Sequence, residues 1–286
     1  MKKFLALLVA MLMLAGAALA ESPVLESFML TADVSVEMDL DGDGVKETLI
    51  WQREPIGEYD ERAVLTITDG ADTFEYRTDS LYQSAVYLTD MDADGRVEIF
   101  ISGDVMSDDY VTYALRYCGG LFQQLQFEDG WRGENTDELL DCGYGMVTAL
   151  DGNMVELTGS QDMLGTYFCV RTLHLVDNVF EFVDDGMWHV CGDFEDAEMW
   201  EYRALRPLKP IPATFVDEDG METKGEIAEG EPFMVTASDK TSVLWFITED
   251  GRTGYFNIQP NEEQGWGYLV EGMTEDELFE MVPYAD

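Results

Sequence analysis

The chain has 286 residues, with 16 Lys and Arg against 59 Asp and Glu and a formal net charge of −43. That balance excludes nucleic acid as a partner, because polyphosphate binding needs a basic surface that releases counterions, and it disfavours anionic lipid surfaces for the same reason. At 46% hydrophobic and 12% aromatic residues, the chain is too apolar for a disordered acidic tail and carries enough material for one or two cores.

Residues 1–20 read as a secretory signal. Lys2 and Lys3 form the basic start, 4–16 the apolar run and Ala18-Leu19-Ala20 the small-residue cleavage site, so the mature chain is expected to begin at Glu21 and to be secreted by bacterial-type export. The apolar run is short for a bilayer span, and Ala17 stands where a lipoprotein signal would need Cys. No membrane anchor is therefore expected.

Between 34 and about 184, short runs rich in Val, Ile, Thr, Tyr and Phe alternate with Gly, Asp and Asn turns roughly every ten residues. They predict strands over 45–52, 63–68, 73–77, 85–88, 97–102, 111–117, 121–127, 145–150, 154–157, 167–175 and 179–183, joined as hairpins in an all-β region. Pro is absent between Pro55 and Pro207, which suits an uninterrupted sheet. The segment 206–212 then carries three of the eight prolines and reads as a linker or domain junction. Beyond it, strands are predicted at 233–237, 244–248 and 253–258, a rhythm that suggests a small β-barrel. Thr274 and Glu277 form a capping box ahead of 278–282, predicting one short C-terminal helix stopped by Pro283.

Aligning the acidic turns reveals a repeat. Asp39-Leu40-Asp41-Gly42-Asp43-Gly44-Val45-Lys46-Glu47 and Asp90-Met91-Asp92-Ala93-Asp94-Gly95-Arg96-Val97-Glu98 share D-x-D-x-D-G-x-x-E at an offset of 51 residues. A third strand–turn–strand unit near Asp151-Gly152-Asn153 lacks the carboxylates. Asp at positions 1, 3 and 5 sets three oxygens on one concave side, Gly at 6 permits the turn, and Glu at 9 can close the shell. Calcium fits such an oxygen set better than zinc. Asp39, Asp41, Asp43 and Glu47 are expected to form one calcium site and Asp90, Asp92, Asp94 and Glu98 another, against the plainer reading of two solvated acidic hairpins. Position 12 is Ile50 or Ile101 rather than the Glu of an EF-hand, so the loops belong to β-hairpins.

These loops, set between strands and repeated about every 50 residues, resemble the calcium loops of FG-GAP/VCBS-type repeats in integrin-alpha-like β-propellers. The resemblance covers 33–128 well and 143–185 weakly; the Phe-Gly and Gly-Ala-Pro tripeptides of that family are missing, and about three blade-sized units fit where a closed propeller needs at least four. The resemblance implies an all-β fold, either propeller-like or a sandwich array of antiparallel units. Downstream, Gly225-Glu226-Ile227-Ala228-Glu229-Gly230-Glu231 and Asp250-Gly251-Arg252-Thr253-Gly254-Tyr255-Phe256 look like a bacterial SH3-like domain over about 210–270. The expected organisation is a signal at 1–20, a β-repeat domain at 21–205, the junction at 206–212 and an SH3-like domain with the helix at 213–286.

The SH3-like resemblance implies binding of a cell-wall peptide, glycan or surface protein, with Trp245, Tyr255, Trp266 and Tyr268 as candidate groove residues; packing in the core is the other reading for each ring. Strand alternation separates Trp245 from Phe246 and Tyr255 from Phe256, placing an aromatic pair on each side of the hairpin. Catalytic signatures are lacking: there is no G-x-S-x-G, H-E-x-x-H, P-loop or G-x-G-x-x-G, and His174 and His189 stand alone. A non-enzymatic secreted binding protein is expected, with an acidic extracellular hydrolase using paired carboxylates as the alternative. Cys118, Cys142, Cys169 and Cys191 match no zinc spacing; export favours disulfides, and four free thiols is the competing reading.

Overall fold

The computed structural model describes residues 27–57, 60–106, 109–128, 142–183 and 186–284, and the predicted export signal lies outside them. Among the described residues the protein is all-β apart from two short helices, and most of the strands fall into three successive four-stranded antiparallel meanders. The first contains Val36–Met38, Glu47–Pro55, Glu61–Asp69 and Asp72–Arg77. Tyr82–Thr89, Glu98–Met106, Asp109–Tyr117 and Phe122–Gln124 make the second. The third is built from Met146–Asp151, Met154–Asp162, Thr166–Val176 and Val179–Phe182. Both acidic loops, and the Asp151-Gly152-Asn153 turn, connect the first and second strands of their units.

The three meanders stack face to face, and period-two patterning shows which faces are covered. In Thr166–Val176 the odd residues from Tyr167 to Leu175 are buried and the even ones are not. That alternation fails in the middle unit, where every residue from Val111 to Tyr117 is buried. A sheet packed on both faces has no solvent side. Ile99, Ile101, Tyr113 and Leu115 pack on Leu49, Trp51, Leu65 and Ile67 of the first unit. From the opposite face, Phe100 and Ala114 meet Leu157, Leu173 and Phe180 of the third.

Two details depart from the sequence reading here. The strand expected over 121–127 breaks at the fully buried Leu125: Phe122–Gln124 stays in the second unit, and Gln126–Phe127 crosses to pair in parallel with Val179–Phe182. An additional strand, Phe28–Leu30, joins the edge of the second unit beside Tyr82–Thr89.

The expected C-terminal barrel does not close. Phe233–Ser238, Val243–Thr248, Thr253–Pro260, Ile211–Val216 and Glu222–Ile227 form an open antiparallel run in that spatial order. The edge of Phe233–Ser238 is taken by Trp188–Val190, which also pairs with Thr166–Val176, so one 13-stranded sheet passes from the third meander into the C-terminal region. The 206–212 segment is fastened within this fold. Leu205 bridges Phe233, Pro207 O accepts from Gly230 N at 2.8 Å, Leu208 N donates to Leu278 O at 2.7 Å, and Ile211 is buried. Tyr167, Cys169 and Trp188 share one core with Phe233, Phe246 and Phe256.

The capping box holds: Glu277 Oε2 accepts from Thr274 N at 3.0 Å and starts the single turn Glu275–Leu278. The helix ends earlier than the sequence pattern suggests, because Phe279 is extended and buried in the core. A second helix, Ala197–Arg203, is capped by the Asp196 carboxylate on Glu198 N. No helix among the described residues is long and apolar enough to cross a membrane.

None of the four cysteines forms a disulfide; Cys142 and Cys169 are buried, Cys118 is half-buried and Cys191 exposed. Cys169 lies opposite Val190, and Cys191 N donates to Phe168 O, so the two thiols occupy successive register positions that point to opposite sheet faces. Burial pushes the Cys169 thiol up to about 12, which keeps it protonated.

Candidate functional site

Each acidic loop is first a self-contained hydrogen-bonded turn. Asp39 Oδ1 and Oδ2 accept from Gly42 N at 2.8 Å and Gly44 N at 2.9 Å, Asp41 Oδ1 from Asp43 N at 3.2 Å, and Asp43 Oδ1 from Val45 N at 2.7 Å. In the second loop Asp90 Oδ2 accepts from Gly95 N at 3.2 Å, and Asp94 Oδ1 from Arg96 N at 2.8 Å. Gly44 and Gly95, at the sixth position, have φ of +87° and +86°, the left-handed region that glycine enters without penalty. The result in each loop is a convergent triad. One carboxylate oxygen from each of Asp39, Asp41 and Asp43 lies within 4.8 Å of the other two, and the same holds for Asp90, Asp92 and Asp94.

The ninth-position glutamates take a different place from the one expected. Glu47 and Glu98 are not members of these triads; both are buried, and each accepts from the second-position amide of its own loop, Leu40 N at 2.7 Å and Met91 N at 2.6 Å. They lock the loop to the strand that follows. Burial raises the pKa of both, Glu98 to about 7 even with Arg116 opposing the shift.

The two loops are also tied to each other and to neighbouring units. Val97 N donates to Leu40 O at 2.9 Å, and a Cβ placed on Gly42 would sit 3.0 Å from the Gly95 carbonyl oxygen. Asp41 Oδ2 accepts from Gly119 N of the second unit at 3.1 Å. Arg116, buried in the third strand of that unit, donates to Asp92 Oδ2 at 2.7 Å, to Glu98 Oε1 at 2.5 Å and to Asn178 Oδ1 of the third unit at 2.7 Å. Sequence reasoning missed Arg116 and Asn178. The signal in the chain was a lone Arg near the end of a mostly apolar strand, since its partners lie 18 to 62 residues away.

The loops differ in one respect that bears on chemistry. Both oxygens of Asp39 are occupied by loop amides, whereas Asp90 is 4% exposed and its Oδ1 is buried without a hydrogen-bond partner. Burial also raises the Asp90 carboxyl, with Asp94 and Asp92 adding repulsion. A buried acceptor left unmade is costly, and a cation in the triad would satisfy it.

The four candidate aromatics fall into two pairs rather than one groove. Trp245 and Tyr255 are cross-strand partners with ring centroids 5.1 Å apart on the half-buried face of their hairpin, and Phe246 stacks on Phe256 at 4.5 Å on the core face. Trp266 is exposed and Tyr268 buried, and both line a separate cavity with Asp162, Pro260, Gly267 and Tyr284. His174 lies 3.9 Å from Glu181 across its hairpin, and His189 is exposed on Trp188–Val190.

No protein-family model matches the chain, and no solved structure matches it. Over 168 residues it is 26% identical to a quinoprotein ethanol dehydrogenase of Pseudomonas putida, a similarity covering 56% of this chain and 25% of that protein. The chain thus spans about a quarter of the curated relative it matches.

Proposed function

We propose that this chain is a secreted, calcium-binding, non-enzymatic protein whose repeat region is of the FG-GAP/VCBS type and whose C-terminal region, SH3-like in sequence, binds a cell-wall or other extracellular ligand. The observation that carries the calcium reading is Asp90 Oδ1, a buried oxygen without a partner inside a triad of carboxylates. Asp90, Asp92 and Asp94 would hold one ion and Asp39, Asp41 and Asp43 the other. Hard oxygen donors of this kind suit Ca²⁺, which would supply the positive charge that clustered carboxylates need. Arg116 serves the second loop as an orienting partner: by engaging Asp92 Oδ2 it fixes the carboxylate that the triad uses.

Glu47 and Glu98 act beneath the sites, holding each loop closed through its second-position amide. Because the loops touch each other and reach the next meander through Gly119 and, by way of Arg116, Asn178, filling them would strengthen the contacts between stacked units. The dehydrogenase activity named for the Pseudomonas putida relative is not carried over, since three quarters of that protein has no counterpart in the similarity.

Calorimetric titration of residues 21–286 with Ca²⁺ tests the reading. Two ions are expected, with dissociation constants on the order of 10⁻⁴–10⁻³ M, the range of extracellular modules. Asp90→Asn should remove one ion and Asp41→Asn the other, and a chelator should lower the melting temperature. Unchanged heats in both variants would defeat the assignment. Retention of the protein on cell-wall preparations tests the ligand-binding half separately.

A further inference from the structure

The cavity beside Trp266 lies where the third meander meets the C-terminal region, and its volume is about 390 Å³, within the usual range for a small-ligand pocket. Asp162 comes from the end of Met154–Asp162; Pro260, Trp266, Gly267 and Tyr268 come from the segment around Tyr268–Val270; Tyr284 closes it from beyond the last helix. Hydrogen bonds tie its walls together. Tyr268 OH donates to Asp162 O at 2.9 Å, Tyr284 OH donates to Glu275 Oε1 at 2.9 Å, and Tyr268 N donates to the same oxygen at 2.7 Å. Trp266 and Tyr284 meet edge to face with centroids 6.3 Å apart, and the indole remains more than half exposed.

The donor and acceptor inventory selects the ligand. Both tyrosine hydroxyls already commit their protons inside the wall, so they offer none to a guest. Among the described residues, no Lys or Arg lines the cavity. What remains is aromatic surface, one side-chain donor in the Trp266 indole N–H, and acceptors: the exposed Asp162 carboxylate, held at Oδ1 by Thr166 Oγ1 at 2.6 Å, with the buried Glu275 carboxylate behind the tyrosines. An anion would be repelled, and a sugar needs several donors for its hydroxyl oxygens as well as acceptors, where the side chains of the cavity offer a single indole N–H. An ammonium group on an alkyl stem has donors only, carries positive charge and is attracted to aromatic faces. We propose that this cavity binds an alkylammonium group, the side-chain amine of a peptide, with Trp266 as the aromatic face and Asp162 as the counter-charge. The proposal names the ligand of the C-terminal region and rests on its ligand-binding reading.

The test is calorimetric titration of residues 21–286 with Nα-acetyl-lysinamide, alongside Nα-acetyl-norleucinamide, which has a similar apolar stem without the charge, and chitotetraose. Binding is expected for the lysine compound alone. Trp266→Ala and Asp162→Asn should each weaken it about tenfold, the scale of one cation–π or charge contact. In the Asp162→Asn variant the amide oxygen can still accept from Thr166, and an unchanged melting temperature and calcium titration would show that both variants fold. Equal binding of the norleucine compound would overturn the proposal in favour of a merely apolar cavity, and binding of chitotetraose instead would overturn it in favour of a glycan. If lysinamide gives no heat while wall preparations still retain the protein, this cavity assignment falls and the ligand-binding reading stands; if neither binds, both fall.

Discussion

Replacing Arg116 by Met keeps an unbranched apolar stem and removes the guanidinium from beneath the second acidic loop. The guanidinium is 3% exposed and the Glu98 carboxylate it touches is fully buried. In the variant, Glu98 keeps its bond from Met91 N, but its other oxygen is left in the interior without a partner. Breaking a buried ion pair from one side costs about 3–5 kcal/mol, and because burial already holds the Glu98 carboxyl at about 7, near neutral pH the abandoned group takes up a proton and the loss falls at the low end. The second ion pair, to the one-third-exposed Asp92, adds little because water screens it. For a chain of this size the loss corresponds to a melting temperature lowered by about 10 °C. Urea unfolding in the presence of a chelator measures it directly. The double variant Arg116→Met/Glu98→Gln should recover at least half of the loss, since the amide retains an acceptor for Met91 N without a charge. With Asp92 no longer oriented, calcium affinity of the second loop should also fall by about tenfold. A loss below about 1 kcal/mol, or a double variant no more stable than the single one, would refute the claim that Arg116 neutralises a buried carboxylate.

Gly254→Ala should destabilise the C-terminal core by about 2 kcal/mol or more, because the new methyl would collide with the Thr214 carbonyl oxygen and lie 2.9 Å from the Phe246 ring; thermal unfolding reports it. Asp239 accepts four hydrogen bonds, from Thr241 N, Ser242 N, Ser242 Oγ and Val243 N, which together outweigh its burial and hold its carboxyl down at about 2. A depressed folded-state pKa gives stability that is present above about pH 4 and lost as the pH falls through about 2. Asp239→Ala should therefore cost on the order of 1 kcal/mol at about pH 7, after allowance for solvent screening, and nothing below about pH 2, as followed by denaturant titration across that range. Proteinase K should leave the 205–211 segment uncut in the native protein, because Leu205, Pro207, Leu208 and Ile211 are all fastened there; early cleavage in it, read by mass spectrometry, would contradict that packing.

What could be read from the sequence was what depends on near neighbours. The D-x-D-x-D-G turns close through bonds spanning two to five residues, so the triads of Asp39, Asp41 and Asp43 and of Asp90, Asp92 and Asp94 were visible as spacing alone. Period-two alternation likewise separates Trp245 and Tyr255 from Phe246 and Phe256 whatever the fold around them. The all-β class followed from the same short-range pattern. The junction prolines were legible as a break in pattern, but composition could not say that hydrogen bonds to Gly230 and Leu278 would tie that segment down.

Other features were decided by which surfaces met. Glu47 and Glu98 share the spacing of ligands, yet they turn inward because strands Glu47–Pro55 and Glu98–Met106 are packed against neighbouring meanders, where a carboxylate is held by an amide. Arg116 reads as an anomaly in a strand until Asn178, 62 residues away, is seen beside it. The barrel stays open because Trp188–Val190 occupies an edge that no local pattern reserves. Tyr268 reaches Asp162 across 106 residues to build the aromatic cavity. Backbone turns and side-chain alternation are fixed by covalent geometry over a few residues, whereas sheet edges, buried charges and cavities exist only once distant segments exclude water together.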